Sequence, residues 1–536
     1  MPERMHWTRR QTLMGAGGLL TSALTPRLLR ARTIDEAYPI VDTTAGKVRG
    51  IDIFGVKTFK GVRYGADTGG KNRFLPPRPP QPWKEVLDAF EYGAISPQSL
   101  ADPRGEYTRM ISWDKQTGGM SEDMLKLNVW TRSLGGGSKR PVLVSLHGGG
   151  FTAGSAAEPG YDGDALVRFA DVVSVTINHR LGALGYLDLT SVGAPAEFAH
   201  AGVAGALDMV AALKWVRDNI TQFGGDPDCV MIYGQSGGGS KVATVYAMPS
   251  AKGLFHRAAI QSSSVPLRAL THEQGAAFTK ALLDKLGAST ANMKALQSRP
   301  WEEIVLAQAE VRGEFGPVLH DTDLPRHPFD PDAPEVSADI PLIVSSALED
   351  AALSFTNFDL DDAGFHEFVK SRVPPGSVEE VYQLYQRDDA RTPFLRQARL
   401  DTDRIRRYCA IKVAERKSNQ HRAKVYQYIW SWPSPGFGGK FGAVHGSDVG
   451  PTFHSVRGII EGNTPEATLM ADRMAATWVA FARSGDPNND SIPHWPAYDV
   501  KDRPVMIFDT HMRVAQDPRR DYRLLWEKLQ DHSGSS

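Results

Sequence analysis

Three short stretches carry residue types able to move an acyl group. The first is Gly234-Gln235-Ser236-Gly237-Gly238, a serine between glycines. A serine hydroxyl is a poor nucleophile until a base takes its proton, and flanking glycines allow a sharp turn that lifts it clear of the backbone. The pattern alone is weak, because 51 glycines in 536 residues make about 0.3 matches expected by chance. The second stretch, His147-Gly148-Gly149-Gly150, is far rarer, with about 0.01 chance occurrences. Acyl transfer builds negative charge on a carbonyl oxygen, and glycine N–H groups can approach that oxygen closely. The expected donors are Gly149, Gly150 and Gly237, the last directly after the serine. The third stretch, Gly442-Ala443-Val444-His445-Gly446-Ser447-Asp448, is a glycine-flanked loop that offers His445 as the base.

These residues need elements to hold them. Val230-Met231-Ile232-Tyr233 reads as a buried strand running straight into the serine motif, with a helix from Ser240 to Met248 leaving it. Pro141 to Leu146 is an apolar run ending at His147, and Val172 to Ile177 is another. Between them and the serine, Leu207, Val210, Leu213, Val216, Ile220 and Phe223 recur every three to four positions, one face of a helix that Gly224-Gly225-Asp226-Pro227 should stop. Strands alternating with helices predict an α/β fold with a large, mostly parallel sheet covered by helices on both faces. Short β elements are expected at 46–50 and 56–61, and further strands at Ile340–Val344 and Val425–Trp432. The regions 267–332 and 364–417 read as helical and as a cap over the sheet. An acid to orient His445 should follow a strand end, as Glu349-Asp350 does after Ile340–Val344; spacing does not choose between the two.

Composition is that of a globular chain, 41% hydrophobic and 23% charged, with a net charge of −1. So balanced a charge gives no field to attract nucleic acid or an anionic membrane. Two cysteines, Cys229 and Cys409, exclude a disulfide framework, and no Cys/His spacing suits zinc. Near the N-terminus, Arg9-Arg10 precedes the apolar stretch Leu13–Leu24, the order of a twin-arginine bacterial signal peptide. Residues 1–32 are therefore expected to be an export signal, residues 33–536 one catalytic domain, and the protein periplasmic or secreted. The apolar stretch is too short to span a bilayer, and no other segment reads as a span.

With these motifs in view, the chain resembles the type-B carboxylesterase family, which includes para-nitrobenzyl esterases and cholinesterases. The resemblance runs from about residue 40 to 510. Besides the three stretches above, it rests on Ser121-Glu122-Asp123-Met124-Leu125-Lys126-Leu127-Asn128-Val129-Trp130, Asn178-His179-Arg180-Leu181-Gly182-Ala183-Leu184-Gly185 and Leu213–Ile220 through Gly224–Pro227. It implies the α/β-hydrolase fold and a serine esterase using Ser236, His445 and an acid, with no cofactor and a small-molecule ester as partner. In the family an Asp-Glu pair precedes two small residues and an apolar one. Glu349-Asp350-Ala351-Ala352-Leu353 therefore puts Asp350 on the family's catalytic glutamate, with Glu349 the second choice. Two departures stand out: Gln235 replaces a glutamate before the nucleophile, and Met124 replaces a cysteine.

Other chemistries fare poorly. His366-Glu367-Phe368-Val369-Lys370 lacks the second histidine of a zinc-binding helix, and Asp359-Leu360-Asp361-Asp362 reads as a solvated loop before a calcium site. The aromatic run Tyr426, Tyr428, Trp430 and Trp432 fits either an acyl-pocket wall or a core face. A cholinesterase-like adhesion module without catalysis, and a serine hydrolase acting on amides or thioesters, are the alternative readings.

Overall fold

The computed structural model describes residues 33–99, 105–111, 118–311, 313 and 315–533; the expected signal segment lies outside them. The described strands are β1 (Ile40–Asp42), β2 (Lys47–Arg49), β3 (Ile51–Ile53), β4 (Val56–Arg63), β5 (Leu87–Asp88), β6 (Lys126–Thr131), β7 (Arg140–Leu146), β8 (Val173–Ile177), β9 (Gly225–Gln235), β10 (Arg257–Gln261), β11 (Leu342–Ala347), β12 (Val425–Trp430), β13 (Pro504–Phe508) and β14 (Arg513–Gln516). Eleven of them form one sheet in the order β14-β13-β12-β11-β10-β9-β7-β8-β6-β4-β3, and β1, β2 and β5 form a small second sheet. The seven strands from β8 to β13 in that order are parallel, and antiparallel strands finish both edges. Strands β7, β8, β11, β12 and β13 are buried at every residue, as continuous apolar runs require when helices cover both faces.

The chain order places the functional loops. After β7 the chain adds β8 on one side, then returns to add β9 on the other. Such a reversal opens a crevice at the carboxyl ends of β7 and β9, where open α/β sheets bind ligands. His147-Gly148-Gly149-Gly150 leaves β7 and Ser236 leaves β9, so both meet at that crevice.

The helix before β9 runs Ala204–Asn219 and tightens into a 3-10 turn at Ile220–Phe223, which Gly224 ends at φ 76°. The expected stop is therefore at Gly224, but β9 starts at Gly225 and not at Val230. Its first residues pair with β7 in an irregular register, where Pro227 has no ladder bond to lose. Residues 196–223 are also long and apolar enough to cross a membrane, an 18-residue window within them having mean hydropathy 1.2, which corrects the expectation that no segment beyond the too-short N-terminal stretch is apolar enough to span. Two thirds of that window is buried inside the protein, so it is a core helix.

The expected helical regions form as Asp362–Lys370, Val378–Gln386, Pro393–Thr402 and Tyr408–Ser418 after β11, and as His272–Leu286, Met293–Ser298 and Trp301–Glu310 after β10. Among the described residues from Val311 to Asp332 the chain is irregular and not helical. Phe365, Val369, Val381, Tyr385 and Leu400 make a satellite core with Leu525 and Trp526 of the last helix. Both cysteines are free thiols.

Beneath the crevice lies a buried ion pair. Arg180, just after β8, donates from Nε (2.8 Å) and Nη2 (2.7 Å) to Asp208 in the Ala204–Asn219 helix, and Nη1 reaches the Leu75 carbonyl at 2.7 Å. Replacing Asp208 by Ala leaves the guanidinium buried without its charge partner. That change should destabilise the fold by about 3–5 kcal/mol in urea titration; a loss below about 1 kcal/mol would contradict this role.

Candidate active site

Ser236 has φ 61° and ψ −125°, in a region L-residues rarely occupy. The turn holds because its surroundings fit nothing larger. A Cβ on Gly238 would lie 2.1 Å from the Leu146 carbonyl oxygen, and one on Gly237 would lie 2.2 Å from the Gly150 nitrogen. The Ser236 N–H donates to the Gln261 carbonyl at the end of β10, at 2.8 Å. The helix Gly237–Ala247 therefore begins immediately after the serine, earlier than Ser240.

Gly237 is the first residue of that helix, so its N–H has no partner within the helix. Among the described residues, the N–H groups of Gly149, Gly150 and Gly237 donate to no protein acceptor. Gly237 is buried, Gly149 half-buried and Gly150 exposed. A buried donor is rarely left unpaired, and a Cβ on Gly237 would lie 2.2 Å from the Gly150 nitrogen, so the donors are close together beside the serine. The loop is aimed from behind by Lys241, which is fully buried and donates to the His147 carbonyl at 2.8 Å and the Gly148 carbonyl at 3.4 Å. In a trans peptide the N–H points opposite to the C=O. Holding the Gly148 carbonyl against Lys241 thus turns the Gly149 N–H away from it, while the Gly148 N–H goes to the Tyr161 hydroxyl at 3.0 Å. Sequence reasoning missed Lys241, because a lysine on a helix signals a solvated face.

A cavity of about 760 Å³, counted with its open mouth, has Gly148, Gly149, Ser236 and His445 in its wall. His445 Nδ1 is hydrogen-bonded to Asp350 Oδ1, whose other oxygen accepts the Ala347 N–H at 2.9 Å. Glu349 turns the other way. Its carboxylate accepts from Arg399 Nε at 2.7 Å and from the Ala443 N–H at 2.8 Å, stapling the end of β11 to the loop that carries His445. Of the two adjacent carboxylates, only Asp350 touches the histidine.

Burial would raise the Asp350 carboxyl, but His445, then Arg406 and the Ala347 N–H, outweigh it and hold Asp350 below the usual carboxylate range. For His445, burial is the largest influence and lowers the imidazole below its usual value in spite of Asp350. The Gln235 amide Nε2 lies 3.2 Å from His445 Nδ1.

The carboxylesterase family matches residues 37–526. This chain belongs to that family. It is 32% identical to a para-nitrobenzyl esterase of Bacillus subtilis (strain 168) over 502 residues, 91% of this chain and 98% of the other. It is likewise 32% identical to a phenmedipham hydrolase of Pseudarthrobacter oxydans over 505 residues, 90% and 97% of the two chains. A carboxylesterase structure from Geobacillus stearothermophilus superposes with a TM-score of 0.78 at 33% identity, covering 91% of this chain and 99% of that one. The fold is that of the α/β-hydrolases, and the protein is a carboxylic ester hydrolase.

Other candidates from the sequence lie elsewhere in this esterase. Tyr426, Tyr428 and Trp430 are buried among Trp478, Trp495 and Phe508 and none lines the cavity, so that strand is a core face and not an acyl-pocket wall. Asp361 caps the helix Asp362–Lys370 through the Gly364 N–H at 2.7 Å, and Asp362 pairs with Arg396 at 2.8 Å. His200, His320 and Asp323 bring three potential metal-ligating atoms within 4.8 Å of one another outside the cavity, a grouping that local spacing does not display. Asp323 already accepts a hydrogen bond there, from His200 at 2.6 Å.

The Gln235 contact yields a pH prediction. A carboxylate at this position favours the imidazolium, so Gln235→Glu should raise the pKa of His445. With His445 as the base expected from the sequence, ester hydrolysis should then lose its acid limb at higher pH than in the parent. Following the His445 ring by NMR across the titration reads this directly, and a downward shift would contradict it.

Proposed function

We propose that Ser236, His445 and Asp350 form the catalytic triad of this esterase, with Gly149, Gly150 and Gly237 as its oxyanion hole. The observation that carries this reading is the joint presence, at one cavity, of a strained serine, a histidine bound to a buried carboxylate and the Gly149 wall, with the unpaired N–H groups of Gly150 and Gly237 adjoining Gly149 and the serine in the chain. His445 takes the proton from Ser236 Oγ as Oγ attacks the ester carbonyl. Asp350 holds Nδ1 protonated, which leaves Nε2 free to accept, and it stabilises the imidazolium that forms. The oxyanion is met by the three N–H groups, reinforced by the positive end of the helix Gly237–Ala247. Collapse expels the alcohol with a proton from His445. Water then attacks the acyl-enzyme by the same route and frees the acid.

The leader reading belongs to this proposal too. Arg9-Arg10 ahead of Leu13–Leu24 supports export of the folded enzyme by a twin-arginine route in a bacterium, with the mature hydrolase starting near residue 33. Small-molecule esters are the substrate class the family supplies, and no partner beyond them enters the mechanism.

Kinetics of three variants test the assignment. Ser236→Ala should lower kcat on p-nitrophenyl acetate by about 10⁴-fold or more, and ester hydrolysis near the parental rate would end the proposal. Asp350→Asn should lose about 10²-fold or more, since the wrong imidazole tautomer becomes available. Glu349→Gln should lower the unfolding midpoint and keep kcat within about tenfold of the parent, because it frees Arg399 in a buried site. The reverse ranking of these two acids would hand the third triad position to Glu349.

A further inference from the structure

The cavity that holds Ser236 also holds an arginine the mechanism does not use. Arg406 stands in its wall with a side chain 14% exposed. It comes from a π-helical turn, Asp403–Arg407, set between the helices Pro393–Thr402 and Tyr408–Ser418. A π turn inserts a residue and re-aims the side chains after it, and such turns frequently mark functional sites.

The arginines of this turn differ in their partners. Arg404 pairs with Asp401 at 2.9 Å, and Arg407 has Asp403 at 3.7 Å. The nearest carboxylate to Arg406 is Asp350, whose Oδ1 lies 3.8 Å from Nε. That carboxylate is already engaged on both oxygens, by His445 and by the Ala347 N–H. Nε of Arg406 is buried and has no hydrogen-bond partner among the described residues. The cavity's other charged groups are better served, since Glu158 accepts the Ser155 N–H at 3.1 Å and Arg457 is paired with Glu461 at 2.9 Å. Much of the remaining wall is apolar, with Ile111, Leu353, Val449 and the rings of Tyr107 and Tyr161.

Arg406 is part-buried, and a guanidinium whose buried Nε has no acceptor is costly unless an anion compensates it. Its planar fork of donors matches a carboxylate in two parallel hydrogen bonds. We infer that Arg406 binds a free carboxylate on the substrate, so that this esterase prefers esters with an anionic end joined to the ester by a short apolar chain, such as half-esters of dicarboxylic acids. Asp350 is near Arg406 and directly bonded to His445, which sets the anion subsite close to the reacting carbonyl and keeps the spacer to a few carbons. The inference rests on Ser236 being the nucleophile and adds the substrate class.

The test compares p-nitrophenyl hexanoate with mono-p-nitrophenyl adipate, two acyl chains of equal length that differ in a terminal carboxylate. The parent enzyme should favour the adipate in kcat/KM. In Arg406→Met the adipate-to-hexanoate ratio should fall by about tenfold or more, mainly through the KM of the adipate, and Arg406→Lys should retain part of it. An unchanged ratio overturns the inference, including the case where both substrates slow equally, which would make Arg406 a support for Asp350 alone. Should Arg406→Met not fold, inhibition of the parent replaces it: adipate must compete better than hexanoate against the neutral ester, and equal inhibition overturns the inference. Failure of the nucleophile assignment has a different signature, namely hydrolysis of both esters surviving in Ser236→Ala.

Discussion

The turn at Ser236 is the constraint on which the neighbouring structure depends. Its left-handed backbone costs on the order of 1–3 kcal/mol and persists only where its surroundings over-determine it. Here β9 drives into the turn from one side and the helix Gly237–Ala247 leaves on the other, with the Leu146 carbonyl of β7 too close to Gly238 for any side chain. The Ser236 N–H is tied to the Gln261 carbonyl of β10. Three adjacent parallel strands thus hold one residue, and the sheet's chain reversal between β8 and β9 opens the space above it. The same crowding that forces glycine at 237 and 238 brings the Gly150 nitrogen against the serine's own helix.

Around this fixed point the charges are arranged by depth. Asp350 is buried, bound to His445, and kept ionised by that histidine and by Arg406. Glu349, one residue away, faces Arg399 and the Ala443 N–H, and so positions the histidine's loop from outside the cavity. Two neighbouring carboxylates take different partners because the 3-10 turn that begins at Asp350 sends their side chains in different directions. Lys241 gives the glycine loop after His147 a comparable rear support, fixing carbonyls so that the opposite N–H groups stay unpaired. The polar groups nearest the serine are paired with one another or with groups behind the wall, as the Tyr161 hydroxyl is with the Gly148 N–H and His445 with Asp350, which leaves Ser236 and the unpaired donors available to a substrate.

Much of this was legible in the sequence where function depends on local pattern. A strand, a glycine-flanked serine and a helix are consecutive, so their order announces the turn; the glycines after His147 announce a close backbone approach. Partners brought together by the fold left weaker traces. The strand β10 is only five residues long and went unread, although it anchors Ser236. Lys241 and Arg406 look like ordinary helix charges until the fold buries them. Alternation in Tyr426, Tyr428 and Trp430 signals a buried face without saying whether a ligand or Trp478 lies against it. Spacing could not separate Glu349 from Asp350, since their directions are set by the 3-10 turn that begins at Asp350; the family resemblance puts Asp350 first, and Asp350 is the carboxylate in contact with His445.

The central claim is that Ser236 attacks an acyl carbon whose oxygen rests on Gly149, Gly150 and Gly237. A crystal structure of the protein after reaction with an alkyl fluorophosphonate tests it most directly, because the adduct imitates the tetrahedral intermediate. The account requires phosphorus bonded to Ser236 Oγ, with one phosphonyl oxygen about 2.7–3.1 Å from those three nitrogens. An adduct on another residue, or a phosphonyl oxygen turned away from the glycine loop, would contradict it.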